Sequence, residues 1–193
     1  LTSEIMKAPK NVQYDYRAKQ GIPCSFVEIR GRSEEGLIPW DGVTMGELEL
    51  RGPWIAKAYY HSPDDEEKFT EDGWFRTGDI VTIDPKGYIE IKDRSKDVIK
   101  SGGEWISSVA MEGALMGHPA VAEATVIAIA DAKWTERPLA CVVLKEGKQA
   151  TAEELNKFLE PLFAKFWLPD AYEFVNEIPK TSVGKFKKSA LRE

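Results

Sequence analysis

The sequence predicts an α+β fold in which a small β subdomain, residues 1–95, precedes a compact α+β domain, residues 96–193. Short apolar or alternating runs that end in turn residues dominate the first half, which is typical of antiparallel strands. Helix-type spacing of apolar residues appears in the second half, on either side of two strongly apolar runs. The length of 193 residues suits one large domain or two small ones. The composition, 42% hydrophobic and 30% charged, suits a soluble globular protein.

Strand patterns recur through the first half. "IPCSFVEIR" at 22–30 and "GELELRG" at 46–52 run apolar or alternate between turn residues. The turn residues Asp84–Gly87 join Ile80–Ile83 to Tyr88–Ile91, which predicts a hairpin.

Two other segments of the first half differ from this pattern. Residues 1–20 are polar and weakly patterned, so no element is predicted there. The acidic, proline-containing segment 61–70 predicts the start of a helix. The composition changes within residues 92–105, and the boundary between the two parts is expected there.

The second half begins with a helical pattern at 107–118, capped by Ser107 or Ser108 and ended at Gly117–Pro119. Runs rich in Val, Ile and Ala predict core strands at 121–130 and 137–145.

A second helix is predicted at 151–163, and a last short strand at 171–178. Thr151 and Glu154 have the spacing of a capping box, and Pro161 should end or kink the helix. Its predicted apolar face consists of Leu155, Phe158, Leu159 and Leu162.

Composition excludes several classes of function. The formal net charge of −6 argues against a general nucleic-acid binder. Cys24 and Cys141 are far apart, and the only histidines are His61 and His118, so neither a zinc site nor a disulfide scaffold is expected. No metal ligands are predicted, and no apolar run is long enough to span a bilayer.

Three stretches have residues suited to ligand binding. In "TGD", Asp79 follows a glycine at a strand start, where a carboxylate can accept hydrogen bonds from ligand hydroxyls or simply complete a turn. In "KSGGEW", Gly102 and Gly103 allow close backbone approach or a sharp turn, and Trp105 can stack or pack. "VGK" is not a phosphate loop, because Pro179 replaces the required glycine and Phe186 the Ser or Thr.

Taken in order, four stretches resemble the C-terminal motifs of the adenylate-forming superfamily of acyl-CoA synthetases, luciferases and peptide-synthetase adenylation domains. They are "GELELRGPWIAKAYY", "GWFRTGD", "GYIEIKDRSKDVIKSGGEWISS" and "IPKTSVGKFKKSALRE". "SGGEWISS", "DAKWTERPLA" and "KFWLPDAYEF" are most similar to medium- and long-chain fatty-acyl-CoA synthetases. The resemblance implies that residues 1–95 are the last β subdomain of the large AMP-binding domain and that residues 96–193 are the mobile lid.

The resemblance also implies roles for individual residues. Asp79 matches the ribose-binding aspartate, Arg94 matches the arginine near ribose and phosphate, and Lys96 falls at the hinge. Lys185 matches the lysine that meets the carboxylate and the α-phosphate during adenylation, where a turn at the rim of a moving lid suits it.

The loop used for thioester formation is matched by Lys100 and Ser101, with Gly102 and Gly103 beside the pantetheine path. Trp105 stands where relatives often have Asn, and Ala110 and Glu112 stand where many relatives have two acidic residues.

The implied substrates and cofactors are a fatty acid, ATP, CoA and Mg²⁺, with Mg²⁺ held mainly by a large N-terminal domain that this chain lacks and would have as its partner. The chain alone is expected to be inactive. A ligase for other acyl or aryl acids, a carrier-loading adenylation domain and a non-catalytic lid-like interaction module are the alternatives. A cytoplasmic location is expected, and the sequence is compatible with peripheral membrane contact and homo-oligomers but not with nucleic-acid binding.

Overall fold

The computed structural model describes residues 1–62 and 67–192, which fall into two compact units, Leu1–Lys96 and Asp97–Glu193. The predicted helix start at 61–70 centres on residues 63–66, which lie outside the described residues. Within the described ranges, no helix has the length and apolar character that a membrane span requires.

Two short helices open the first unit, where no element was predicted. They are α1, Ser3–Met6, and α2, Lys10–Ala18. The Gln13 amide donates to the carbonyls of Met6 and Ala8 at 3.1 and 2.8 Å, and these bonds tie the two helices together. Tertiary hydrogen bonds therefore override the weak local pattern.

An antiparallel five-stranded sheet forms most of the first unit, in the order β2-β1-β3-β4-β5. Buried Ile29, Leu48, Val81 and Ile83 pack as its core. The strands are β1 Glu28–Ser33, β2 Gly36–Leu37, β3 Gly46–Arg51, β4 Phe75–Ile83 and β5 Ile89–Arg94.

The strand predicted at 22–30 is wrong over its first six residues, because β1 begins only at Glu28. Val27 N–H bonds to the Cys24 carbonyl at 3.1 Å, and Phe26 has a φ of 67°. A turn therefore replaces the strand before Glu28. The hairpin between β4 and β5 is confirmed, with Ile83 opposite Ile89 and the Asp84 carboxylate accepting the Lys86 and Tyr88 N–H groups.

The second unit places a mixed sheet against two helices. A long antiparallel hairpin, β8 with β9, forms its centre, and β9 also pairs with parallel β10 and with the short hairpin of β6 and β7. The elements are β6 Ile99–Ser101, β7 Glu104–Ile106, α3 Ser108–Met116, β8 Val121–Asp131, β9 Thr135–Leu144, α4 Ala152–Leu159 and β10 Ala171–Phe174, with 3₁₀ turns at Lys165–Trp167 and Lys188–Leu191.

Local signals placed both helices of this unit correctly. Ser107 caps the start of α3 and Gly117 its end, and the capping box of Thr151 and Glu154 begins α4. Leu155 and Leu159 are fully buried against the sheet. The prediction for Leu162 is wrong, because α4 ends at Leu159 and Leu162 is 59% exposed beyond Pro161. The predicted strand at 171–178 extends only to Phe174.

The α+β fold class is confirmed by this arrangement. The core of the second unit lies between the sheet and the helices, and it includes Ile99 and Ile106 of the short hairpin, Met111 and Leu115 of α3, and Val126 and Val142 of the long hairpin. The hairpin of β6 and β7 thus contributes both to the core and, through its tip, to the surface.

Candidate functional site

Asp79 and Arg94 lie directly opposite each other in the register of β4 and β5. Arg94 Nη1 is 2.9 Å from Asp79 Oδ1, and the two side chains are 60% and 20% exposed. An exposed ion pair of this kind contributes only about 0–1 kcal/mol to stability. A ligand with hydroxyl groups can therefore compete for the Asp79 carboxylate at little cost to the fold.

The backbone before Asp79 is fixed by the neighbouring strand β3. Thr77 Oγ1 donates to the Leu48 carbonyl at 3.0 Å and accepts the Asp79 N–H at 3.1 Å. Gly78 has a φ of 73°, in the left-handed region that favours glycine, and its N–H reaches Glu47 Oε1 at 3.2 Å. The "TGD" stretch is therefore a held irregularity inside β4, where the register with β3 shifts, and it projects the carboxylate in a set direction.

A cavity of about 380 Å³ lies beside this part of β4, in the size range of small-molecule sites. Thr77 and Gly78 form part of its wall, together with Tyr59, Lys68 and Arg76. Because polar and charged groups of both signs line the cavity, it suits a polar ligand better than an acyl chain.

In the second unit, Gly102 and Gly103 form the two-residue turn between β6 and β7, with φ values of 59° and 86°. Two successive positive φ angles are typical of a tight hairpin turn and favour glycine at both positions. Lys100 lies opposite Trp105 across the hairpin, and its Nζ is 5.5 Å from the Trp105 ring centroid. The hairpin thus presents an ammonium group, an indole and exposed glycine backbone together.

Lys185 lies at the end of a separate turn, Thr181–Lys185, in the C-terminal tail. The Thr181 N–H bonds to the Lys185 carbonyl at 2.7 Å, and Thr181 Oγ1 accepts the Lys185 N–H at 3.2 Å. Gly184 has a φ of 79°, and the Lys185 side chain is exposed. The backbone of the turn is therefore defined while the ammonium group remains accessible.

Ion pairs on both sides of the turn hold this tail to the rest of the second unit. Before the turn, Lys180 Nζ lies 2.6 Å from Glu123 Oε1. Lys188 Nζ lies 2.7 Å from Glu112 Oε1 and 2.6 Å from Ser108 Oγ. The same Glu112 oxygen accepts the Thr125 hydroxyl and the Val126 N–H at 2.9 and 2.8 Å. Five groups of α3, β8 and the tail thereby share one nearly buried site, which fixes the chain three residues after Lys185.

The predicted residues belong to different units. Asp79, Arg94 and Lys96 lie in the first, where Lys96 is its exposed last residue. The second unit contains the other predicted residues: Lys100, Gly102, Gly103, Trp105 and Lys185. Within units, the structure brings Asp79 to Arg94 and Lys100 to Trp105, and the roles assigned to all of them stay predictions. Among residues 1–62 and 67–192, no group of three or more His, Cys, Asp or Glu side chains is arranged to hold a metal ion.

Sequence reasoning missed Arg137 and the pair of Lys188 with Glu112. Arg137 is only 5% exposed, although it begins the apolar run "RPLACVVL" that forms most of β9. A buried arginine must be paired and hydrogen-bonded, so a charged residue at the start of such a run is a signal of a buried polar network.

Comparison with known proteins places these features in a family. Residues 110–185 match the AMP-binding enzyme C-terminal domain. The whole chain is 57% identical to the long-chain-fatty-acid–CoA ligase of Thermus thermophilus, covering 36% of that protein. It is also 44% identical to the 3-methylmercaptopropionyl-CoA ligase of Ruegeria lacuscaerulensis. That match covers 97% of this chain and 34% of the Ruegeria protein.

The fold agrees with a solved structure. The o-succinylbenzoate-CoA synthetase of Bacillus subtilis, in complex with its acyl-adenylate intermediate, superposes with a TM-score of 0.81 at 29% identity, covering 96% of this chain and 38% of that one. The chain therefore spans about a third of the length of the proteins it matches. On this evidence the chain belongs to the adenylate-forming superfamily and carries its AMP-binding enzyme C-terminal domain.

Proposed function

We propose that the chain is the lid-bearing part of an ATP-dependent fatty-acid:CoA ligase. In the first half-reaction a carboxylate oxygen attacks the α-phosphorus of ATP and pyrophosphate leaves. In the second, the CoA sulfur attacks the acyl carbon and AMP leaves. The observation that carries the proposal is the exposed Lys185 ammonium on a defined turn whose flanks are ion-paired to the second unit.

Lys185 serves the first half-reaction in this proposal. A positive charge near the α-phosphate and the attacking carboxylate stabilises the charge that develops in the transition state. Asp79 accepts hydrogen bonds from the ribose hydroxyls, and Arg94 leaves its weak pair with Asp79 to meet ribose or phosphate oxygens.

The hairpin of β6 and β7 serves the second half-reaction through Lys100, Gly102, Gly103 and Trp105. The exposed glycine turn lets the pantetheine arm pass close to the backbone, and rotation about Lys96 exchanges this hairpin for the Lys185 turn. ATP and CoA are substrates of the whole protein. Mg²⁺ would neutralise phosphate charge, and the resemblance to adenylate-forming enzymes implies that its ligands lie mainly in the large N-terminal domain.

A fatty acid as the substrate is a more specific proposal than ligase activity. Its support is the 57% identity to the Thermus long-chain ligase. The 44% identity to the Ruegeria enzyme, which is named for a short sulfur-containing acid, favours a ligase for other acyl acids as the second candidate.

A chimera tests the proposal. This chain replaces the matched region of the Thermus ligase, and two rates are measured separately: fatty-acid-dependent exchange of labelled pyrophosphate into ATP, and CoA thioester formation. We expect both activities in the chimera and neither in the isolated 193-residue chain. A folded chimera without either activity would contradict the ligase proposal. Acid preference is then compared in the chain's own full-length protein, where a preference for short acids would favour the second candidate.

A further inference from the structure

The four consecutive residues Trp134–Arg137, at the start of β9, all contact the hairpin that carries Lys100. The Trp134 carbonyl accepts the Gly102 N–H at 2.9 Å, and Thr135 pairs with Ser101. Glu136 Oε2 accepts the Lys100 N–H at 2.7 Å, and Arg137 Nη1 donates to Ser101 Oγ at 3.1 Å. One short segment thus holds three successive residues of the hairpin.

Arg137 uses five N–H donors in this arrangement. Besides Ser101, it makes a forked pair with Asp170 at 2.6 and 2.8 Å and donates to the carbonyls of Phe166 and Leu168 at 2.8 and 3.3 Å. The Asp170 carboxylate raises the pKa of Arg137 above the ordinary arginine value. Because lysine lacks the planar fork, it cannot reproduce this set of contacts.

The turn itself rests on aromatic rings that this segment holds in place. The Trp134 and Phe166 rings meet edge-on with centroids 5.1 Å apart, and Phe166 also lies against the Arg137 guanidinium. A Cβ at Gly102 would come within 2.9 Å of Trp134 and 3.2 Å of Phe166. The glycine backbone is therefore in direct contact with the rings, and a shift of either ring moves the turn.

Thr135 carries backbone strain at the centre of the segment. Its φ of 72° is in the left-handed region, where a β-branched residue is a true outlier. Such a conformation persists only where surrounding contacts over-determine it, and strain of this kind concentrates at functional sites.

We propose that Glu136 and Arg137 are positioning residues for thioester formation, acting through the backbone of Lys100–Gly103. The proposal rests on the proposed function. Glu136 fixes the Lys100 amide, Arg137 fixes Ser101 and the Phe166 ring, and together they hold the glycine turn where the CoA thiol must pass. Neither residue is assigned a contact with substrate.

The test uses the Thermus chimera with Glu136→Ala, Glu136→Gln and Arg137→Lys, and with Glu146→Ala as an exposed control. Thioester formation from supplied acyl-adenylate should fall about 10- to 100-fold in Glu136→Ala and Arg137→Lys, because small misplacements of reacting groups have effects of this size. Adenylation should stay within about threefold of the parent chimera. Glu136→Gln, which keeps an acceptor, should recover most of the rate.

Amide hydrogen exchange of the 193-residue chain gives the second readout. The Lys100 amide should exchange faster in Glu136→Ala than in Glu136→Gln or Glu146→Ala. Equal loss of both half-reactions, or faster exchange with an unchanged thioester rate, would overturn the proposal. If Arg137→Lys does not fold, the comparison of Glu136→Ala with Glu136→Gln tests the proposal by itself. An inactive parent chimera would instead remove the proposed function, and this proposal with it.

Discussion

Two lysines of the second unit, Lys100 and Lys185, lie next to glycine turns, and the structure supports the two turns in different ways. The Lys100 hairpin is held directly at its tip, where Gly102 lies against Trp134 and Phe166 and Ser101 against buried Arg137. The Thr181–Lys185 turn is closed by its own hydrogen bonds, and its ion pairs lie outside it, at Lys180 with Glu123 and at Lys188 with Glu112.

This difference agrees with the different tasks proposed for the two turns. A passage for the pantetheine arm needs its backbone in a fixed place, so contacts belong at the tip. A single ammonium group that must reach an anion needs only a fixed base and a free path for its long side chain. The comparison predicts that backbone changes harm the Lys100 hairpin most, and that the loss of charge harms the Lys185 turn most.

The largest effect is expected from Lys185→Ala in the Thermus chimera. Removing a charged donor from a transition state typically costs about 10²- to 10³-fold in rate, so adenylation should fall by that amount. Thioester formation from supplied acyl-adenylate should be nearly unchanged. Lys187→Ala, an exposed neighbour in the same tail, is the control. Equal loss of both half-reactions would break the comparison between the turns.

The next effect concerns the base of the Lys185 turn. Lys188→Met leaves the nearly buried Glu112 carboxylate with the Thr125 and Val126 donors alone. Breaking a buried ion pair from one side costs about 3–5 kcal/mol. We expect Lys188→Met to lower the free energy of unfolding by about 3 kcal/mol, at the low end of this range, because Glu112 keeps two hydrogen bonds.

Urea unfolding of the 193-residue chain measures this loss, with Lys187→Met as the matched control. Adding Glu112→Met to Lys188→Met should restore part of the stability, because no unpaired charge then remains buried. A Lys188→Met chain as stable as the control would show that this ion pair does not hold the tail.

The sequence predicted the features that depend on neighbouring residues and missed those that depend on residues far apart in the chain. The α4 capping box and the Asp84–Gly87 turn were predictable because their signals lie within a few residues. Arg137 and Ser101 are 36 residues apart, and no local pattern links them. The helices in residues 1–20 were missed for the same reason, since the Thr2 N–H bonds to the Tyr88 hydroxyl and Lys19 bonds to Asp84, 86 and 65 residues away.

The candidate site shows the same division. From ordered motifs along the chain, Asp79, Lys100 and Lys185 could be identified as candidates, and their roles stay predictions. What holds Lys100 and the Lys185 turn in place could not, because Glu136, Arg137 and Lys188 act across strands and helices that only the fold brings together. Glu112 was noticed as one of two positions where acidic residues often occur, but its partner Lys188 was not.

The two glycine turns also allow a matched pair of substitutions. In Gly102→Ala the new Cβ meets Trp134 at 2.9 Å, and the residue must keep a φ of 59°. Steric overlap adds to the left-handed strain, so we expect about 2 kcal/mol of destabilisation. In the chimera, thioester formation should fall more than adenylation. In Gly103→Ala the new Cβ meets no atom within 4 Å beyond the residue itself and its two chain neighbours. A loss of thioester formation in Gly102→Ala no larger than in Gly103→Ala would contradict the importance of contact at the tip.

Gly184→Ala is the counterpart in the Lys185 turn, with the smallest expected effect. The φ of 79° imposes a left-handed conformation, but a Cβ there meets no atom within 4 Å beyond Gly184 and its two chain neighbours. Only the conformational cost remains, about 1–2 kcal/mol. Because the ion pairs outside the turn are untouched, the tail should stay in place and the turn should relax locally. Adenylation should then fall less than tenfold, far less than in Lys185→Ala, while thioester formation is unchanged. A loss of adenylation as large as that of Lys185→Ala would mean that the Lys185 turn, like the Lys100 hairpin, depends on its exact backbone path.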